Sequence, residues 1–207
     1  MIGEKTEATS ERIRSVAAEL FADKGYGETS LREIAERLGI TKAALYYHYP
    51  SKEQLLQAIV LPFFDDIRVL VEHAEQELPS GPALRSFFEA YLDMLLRHRT
   101  VCALFLRDAS SLVAIVPLYK EALHLTRRLN SSIAGPDATD EQRLRTAAAF
   151  EVLGVALLTS SWLPDIPDDT VRKTLLDAAV RVLDSDDDAT QARTNPSGAP
   201  ETDAPAP

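Results

Sequence analysis

Cysteine is nearly absent from this chain. Cys102 stands alone among 207 residues, so no disulfide can form within the chain, and a reducing cytoplasmic setting is expected. Long apolar runs are missing too. The longest candidate, 152–163, is interrupted by Gly154, Thr159, Ser160 and Ser161, well short of the ~20 apolar residues that span a bilayer. The opening MIGEKTEATSER is polar and acidic, without the apolar core of a signal peptide. There is no Gly-rich phosphate loop, no Ser or Cys nucleophile in a recognisable context and no zinc-ligand spacing. The four histidines, 48, 73, 98 and 124, are scattered. Asp65, Asp66, Glu72 and His73 lie close in sequence, but adjacent acids diverge on a helix, and a solvated face is the better reading. No catalytic residue, metal or cofactor is therefore expected.

An excess of positive charge is also lacking. The net charge of −10 and pI of about 4.9 argue, taken whole, against a nucleic-acid binder. The distribution softens that. Residues 184–207 hold six acids against the single base Arg193, whereas residues 1–60 hold eight bases and nine acids. Binding depends on the local surface, and the N-terminal part is close to neutral.

What is present is helical periodicity. Apolar residues recur at three and four throughout, and no period-2 strand stands out. A first helix is expected over 7–24, with Ile13, Val16, Ala17, Leu20 and Phe21 as its inner stripe and Gly25 ending it. Ser30 with Glu33 forms a capping box that starts a helix over 31–38, closed by Gly39. Thr41 caps a third helix over 42–48. Ser51 with Gln54 opens a fourth over 52–78, in which Pro62 should bend or loosen the helix. Pro79-Ser80-Gly81-Pro82 then separates a second helical unit, with helices over 83–97, 101–111, 117–132, 139–162 and 168–183. The expected fold is all-α, about nine helices. Its domains are 1–52 for the N-terminal unit, 53–184 for the C-terminal unit and 185–207 for an acidic tail rich in Pro and Ala, read as disordered.

The stretch SLREIAERLGITKAALYYHYPSKEQLL carries the functional signal. Counted from Leu31, Ile34, Leu38, Ile40 and Leu45 are apolar at positions four, eight, ten and fifteen. Ala35 is small where two helices cross, and Gly39 sits where the turn needs a positive φ. This is the helix-turn-helix pattern, whose second helix enters the DNA major groove.

With Thr29-Ser30, Ile34-Ala35, Leu38-Gly39-Ile40, Leu45-Tyr46, Tyr47-His48-Tyr49 and Lys52, residues 10–60 resemble the DNA-binding domain of TetR-family transcriptional regulators. The resemblance implies an all-helical homodimer on a double-stranded DNA operator. It also implies a divergent C-terminal domain that binds a small molecule and then releases the DNA. Beyond residue 60 it rests on length and helix count.

The residues themselves agree. Thr29 and Ser30 offer hydroxyls and backbone N–H groups at a helix N-terminus, suited to phosphate. Arg32 is placed to reach a base edge or phosphate. Thr41, Lys42 and Ala43 begin the recognition helix: Lys42 suits guanine or phosphate, and Ala43 a thymine methyl. Tyr46 and Tyr47 point about 100° apart, so only one can face the core squarely. In the family pattern Tyr46 and His48 lean on the backbone while Tyr47 contacts DNA. Tyr46 or Tyr49 as filler of the helix junction is the competing reading. Lys52 is expected to take a phosphate.

In the C-terminal unit, small residues cluster in 139–162 and an amphipathic helix follows. Ala148, Val152, Val155, Leu175 and Ala179 are candidate dimer-interface residues, as the resemblance implies; packing within one chain is the alternative. Phe87, Tyr91, Met94, Phe105, Tyr119, His124, Phe150 and Trp162 are candidates for a largely apolar ligand pocket, against the plainer reading of ordinary core. The function expected is a ligand-responsive repressor, with control by a protein partner as the alternative. No contact with a membrane is expected.

Overall fold

The computed structural model describes residues 2–77, 79–107, 116–163 and 165–194. Every regular element among them is a helix: α1 (Ile2–Lys24), α2 (Leu31–Leu38), α3 (Lys42–His48), α4 (Lys52–Gln76), α5 (Pro82–Arg97), α6 (Arg99–Arg107), α7 (Val116–Ala134), α8 (Asp140–Gly154), α9 (Ala156–Trp162) and α10 (Asp168–Thr194). The all-α expectation holds, and the element order follows the sequence closely.

Local chemistry sets the boundaries of the first helices. Ser30 Oγ accepts from the Glu33 backbone N–H at 3.2 Å, starting α2. At its other end Gly39 adopts φ +67, and the Gly39 and Ile40 N–H groups close on the carbonyls of Glu36 and Ala35 at 3.2 and 3.0 Å. That is a Schellman closure, which favours glycine for its left-handed backbone. Thr41 Oγ1 caps α3 at the Ala44 N–H, and Ser51 Oγ caps α4 at the Gln54 N–H, each at 3.1 Å.

α1, α2 and α3 close around Ile13, Ala17, Phe21, Ile34 and Leu45, none of which exposes any surface. Burial of each of Ile13, Phe21, Ile34 and Leu45 contributes about 1.5–3 kcal/mol relative to exposure. α4 joins this unit to the rest. Its first turns send Leu55, Leu56 and Ile59 into the N-terminal core, and its later turns send Phe64, Ile67 and Val71 into the C-terminal one. A boundary at 52/53 therefore falls at the start of one continuous helix, which also runs on through Pro62. α6 packs on α1 as well, giving the C-terminal unit a second direct contact with the N-terminal one. Farther out, α8 and α10 share the most extensive helix pairing described, and α5 lies against both.

Three expectations are corrected. The helix expected over 139–162 is divided: the Val155 N–H turns to the Val152 carbonyl at 3.3 Å, and α9 begins at Ala156. Gly154, with its weak helix propensity, ends α8 there. α1 begins at Ile2 rather than residue 7. α10 continues to Thr194, past 183, because 184–194 holds neither Gly nor Pro. Residues 195–207 of the expected tail lie outside the described residues.

Candidate nucleic-acid interface

The turn between α2 and α3 is short and both caps are made, so α3 is presented as a rigid seven-residue helix with two unlike faces. Leu45 is fully buried. Lys42, Ala43, Ala44, Tyr46 and Tyr47 are exposed, with Tyr47 showing 80% of its surface and Tyr46 40%. Lys42 Nζ lies 5.4 Å from the centroid of the Tyr46 ring, a cation–π contact that lines both up along the open face.

The competition among the rings is resolved by position. Tyr49, in the cap after α3, fills the helix junction at 8% exposure. Its hydroxyl donates to the Ser10 carbonyl at 3.4 Å and accepts from Arg14 Nη1 at 3.5 Å. His48 is half-buried and its Nδ1 lies 2.9 Å from Ser10 Oγ. Tyr47 packs edge-on against the His48 ring at 5.5 Å and is otherwise open. Tyr46 is thus not the anchoring ring.

The N-terminal ends of α2 and α4 meet beside α3. Gly27 to Arg32, Lys42, Tyr46 and Pro50 to Lys52 line an open notch of about 490 Å³. Its lining holds the N-termini of α2 and α4 and the cations Arg32, Lys42 and Lys52 beside one acid, Glu28. Arg32 is exposed, with Nε on Glu36 Oε1 at 2.7 Å, so its charge is partly matched within its own helix. Ser30 lies exposed at the rim. Glu33 pairs with Lys24, which holds its carboxyl below the usual range, together with a backbone bond at Ser30.

Two expected contacts are placed elsewhere. Thr29 is buried at 1% exposure, and its hydroxyl donates inward to the carbonyls of Gly25 at 2.9 Å and Leu20 at 3.3 Å, not outward to a phosphate. Lys52 Nζ donates to the carbonyls of Tyr26, Gly27 and Thr29 at 2.7, 3.3 and 2.9 Å and sits 4.3 Å from the Tyr26 ring centroid. An ammonium has three N–H bonds, and these three carbonyls match them. Lys52 clamps the loop that leads into α2. Ser10, Arg14, Tyr26 and Glu36 were not found by sequence reading. Only a half-polar face on α1, Ser10 and Arg14 at i and i+4, hinted at the first two.

The C-terminal candidates divide. Phe87, Met94 and Phe150 are buried at 3, 2 and 6% exposure. Tyr91, half-buried, packs edge-on against Phe150 at 4.9 Å, as Phe88 does at 5.5 Å, so α5 and α8 bring these rings together. His124 is exposed and stands apart from that cluster, because α7 turns it to solvent. The side chains of Phe105, Tyr119 and Trp162 lie outside the described ones. A surface groove of about 260 Å³ between α4 and α5 involves Met94 alone from the expected set, beside Asp66, Val69 and Arg97. Of the interface candidates, Ala148 and Val155 are exposed and Val152 and Leu175 half-buried. Ala179, fully buried, packs within the chain instead. Leu144, which sequence reading missed, is 71% exposed on α8.

Among the described residues no three His, Cys, Asp or Glu side chains gather as a metal site, and no helix is long and apolar enough to cross a membrane.

Comparison with known proteins points the same way as the geometry. Residues 13–59 match the family described as bacterial regulatory proteins, tetR family. An uncharacterized HTH-type transcriptional regulator of Bacillus subtilis, YuxN, is 30% identical over 58% of this chain and 40% of its own length. The HTH-type transcriptional repressor KstR2 of Rhodococcus jostii is 38% identical over 31% of this chain and 29% of its own. The chain thus spans less than half the length of these curated relatives. The crystal structure of Mycobacterium smegmatis AmtR superposes with a TM-score of 0.67 at 25% identity, over 83% of this chain and 84% of that one.

Proposed function

The chain belongs to the TetR family of bacterial regulatory proteins, and from that premise we propose that it is a ligand-responsive repressor. It binds a palindromic double-stranded operator as a homodimer and leaves it when a small, largely apolar molecule occupies the C-terminal helices. The observation that carries the DNA-binding reading is the division of α3: Leu45 is sealed in the core while Lys42, Ala43, Ala44, Tyr46 and Tyr47 stand open on one short helix. Such a face fits the major groove, and the notch beside it suits a backbone phosphate. The name of KstR2 as a repressor supports repression here.

Near-neutrality of residues 1–60 means few phosphate neutralisations per copy, hence weak binding by one copy and a need for two. Exposed Leu144 and Ala148 on α8, with Val155 just after it, offer an apolar surface for the second copy. An effector that shifts α4 or α6 reaches the N-terminal unit directly, since both helices pack on α1.

Footprinting of the DNA flanking its own coding region, with the full chain and with or without a panel of apolar metabolites, tests this reading. Two protected half-sites one helical turn apart, about 34–36 Å, are expected, and their loss with one metabolite class. A footprint of monomer size without two-fold symmetry would overturn it. Val69, an apolar side chain 63% exposed on α4, favours a second reading in which a protein partner replaces the small molecule. A footprint unmoved by every metabolite and removed by a protein is its signature.

A further inference from the structure

α1 carries no expected DNA contact, yet its first half reaches the end of the recognition helix. Ser10 Oγ lies 2.9 Å from His48 Nδ1, across 38 residues of sequence. A second strand of bonds holds the same junction: Arg14 Nη1 donates to Tyr49 Oη, and Tyr49 Oη donates to the Ser10 carbonyl. Ser10 is therefore held at both its backbone and its side chain.

A neutral imidazole carries one proton on two nitrogens. If Nδ1–H donates to Ser10, then Nε2 is a lone-pair acceptor, which a phosphate repels. If the Ser10 hydroxyl donates to Nδ1, the proton lies on Nε2, which becomes a donor. Among the described residues Nε2 has no hydrogen-bond partner. The groups facing the ring are Ser10 from α1 and Tyr47 from its own helix, with Arg14 nearby but engaged on Tyr49. No carboxylate is described against the ring to hold the opposite tautomer.

We infer that Ser10 is a positioning residue for DNA binding: its hydroxyl fixes His48 as the Nε2–H tautomer, so that a neutral histidine presents a donor to a backbone phosphate. The inference rests on the DNA-binding reading above for its function, but not for the tautomer itself. It adds a contact without adding charge, which suits a domain with little positive charge to offer.

The test has two arms, using the full chain, Ser10→Ala and Ser10→Thr. Nitrogen-15 NMR of the histidines in the free protein, at about pH 8, should show the Nε2–H form of His48 in the wild type. Ser10→Ala should give a mixture, and Ser10→Thr should restore the single form. In the second arm, each protein binds a duplex selected by the wild type from a random pool. Ser10→Ala should weaken binding by roughly 3- to 10-fold at about pH 8, the loss of one neutral hydrogen bond's worth of preference. Ser10→Thr, which keeps the hydroxyl, should restore wild-type affinity. A Nδ1–H tautomer in the wild type, or a Ser10→Ala deficit that Ser10→Thr shares, would overturn the inference. Failure to select any duplex would overturn the DNA-binding reading and leave the NMR arm to decide the role of Ser10.

Discussion

Lys52 and Tyr26 are joined twice: the ammonium donates to the Tyr26 carbonyl at 2.7 Å and lies 4.3 Å from the centroid of the same residue's ring. With the Gly27 and Thr29 carbonyls added, the first residue of α4 holds the loop that sets the N-terminus of α2. A cation that looked like a phosphate ligand is a structural fastener, and the two roles predict different things.

Lys52→Met should lower unfolding stability by about 2 kcal/mol, since it leaves carbonyls without a charged donor and removes a cation–π contact. Urea denaturation measures it. Unchanged stability together with a shallower salt dependence of DNA binding would return Lys52 to the phosphate.

Glu36→Gln removes the carboxylate that holds Arg32 Nε at 2.7 Å. The released guanidinium should strengthen duplex binding and steepen the slope of log affinity against log salt by about 0.9 for each subunit that gains a phosphate. Unfolding stability should be unaffected, because the pair is exposed. Anisotropy titrations at several salt concentrations read the slope; an unchanged slope shows that Arg32 does not reach the backbone.

Leu144→Glu puts a charge where α8 exposes 71% of a leucine. If that surface covers a second copy, sedimentation should shift from dimer to monomer while circular dichroism stays the same. Duplex binding should fall by at least an order of magnitude, because each half-site contributes little alone. A variant that remains dimeric places the interface elsewhere.

Burial pushes the Cys102 thiol up from 9.0 to about 12. The folded state keeps the proton to higher pH than the unfolded state. The contribution is therefore complete below about pH 9 and is lost as pH rises toward about 12. Native protein at about pH 8 should resist thiol alkylation until denaturant is added. Cys102→Ala should remove part of the stability loss above pH 9; the remainder includes Tyr26, also raised to about 12 by burial and by Glu53. Rapid labelling of the native thiol would contradict the burial at 5% exposure.

The sequence alone determined what is written in neighbouring residues. Ser30 with Glu33, Leu38-Gly39-Ile40 and the spacing of Ile34 and Leu45 specify two short helices and their turn, since caps and apolar periodicity act within about one helical turn. They also set α3 apart as a short helix that turns Leu45 inward. Tertiary structure decided which groups are available on that surface. Thr29 turns inward to Gly25 and Leu20, Lys52 turns back to a loop 23 to 26 residues earlier, and His48 meets Ser10 38 residues away. The same holds for the aromatic residues of α5 and α8: only the fold brings Tyr91 edge-on to Phe150 at 4.9 Å. A polar side chain bonds to whichever unmatched donor or acceptor the fold brings within about 3 Å, and local sequence carries no record of distant carbonyls.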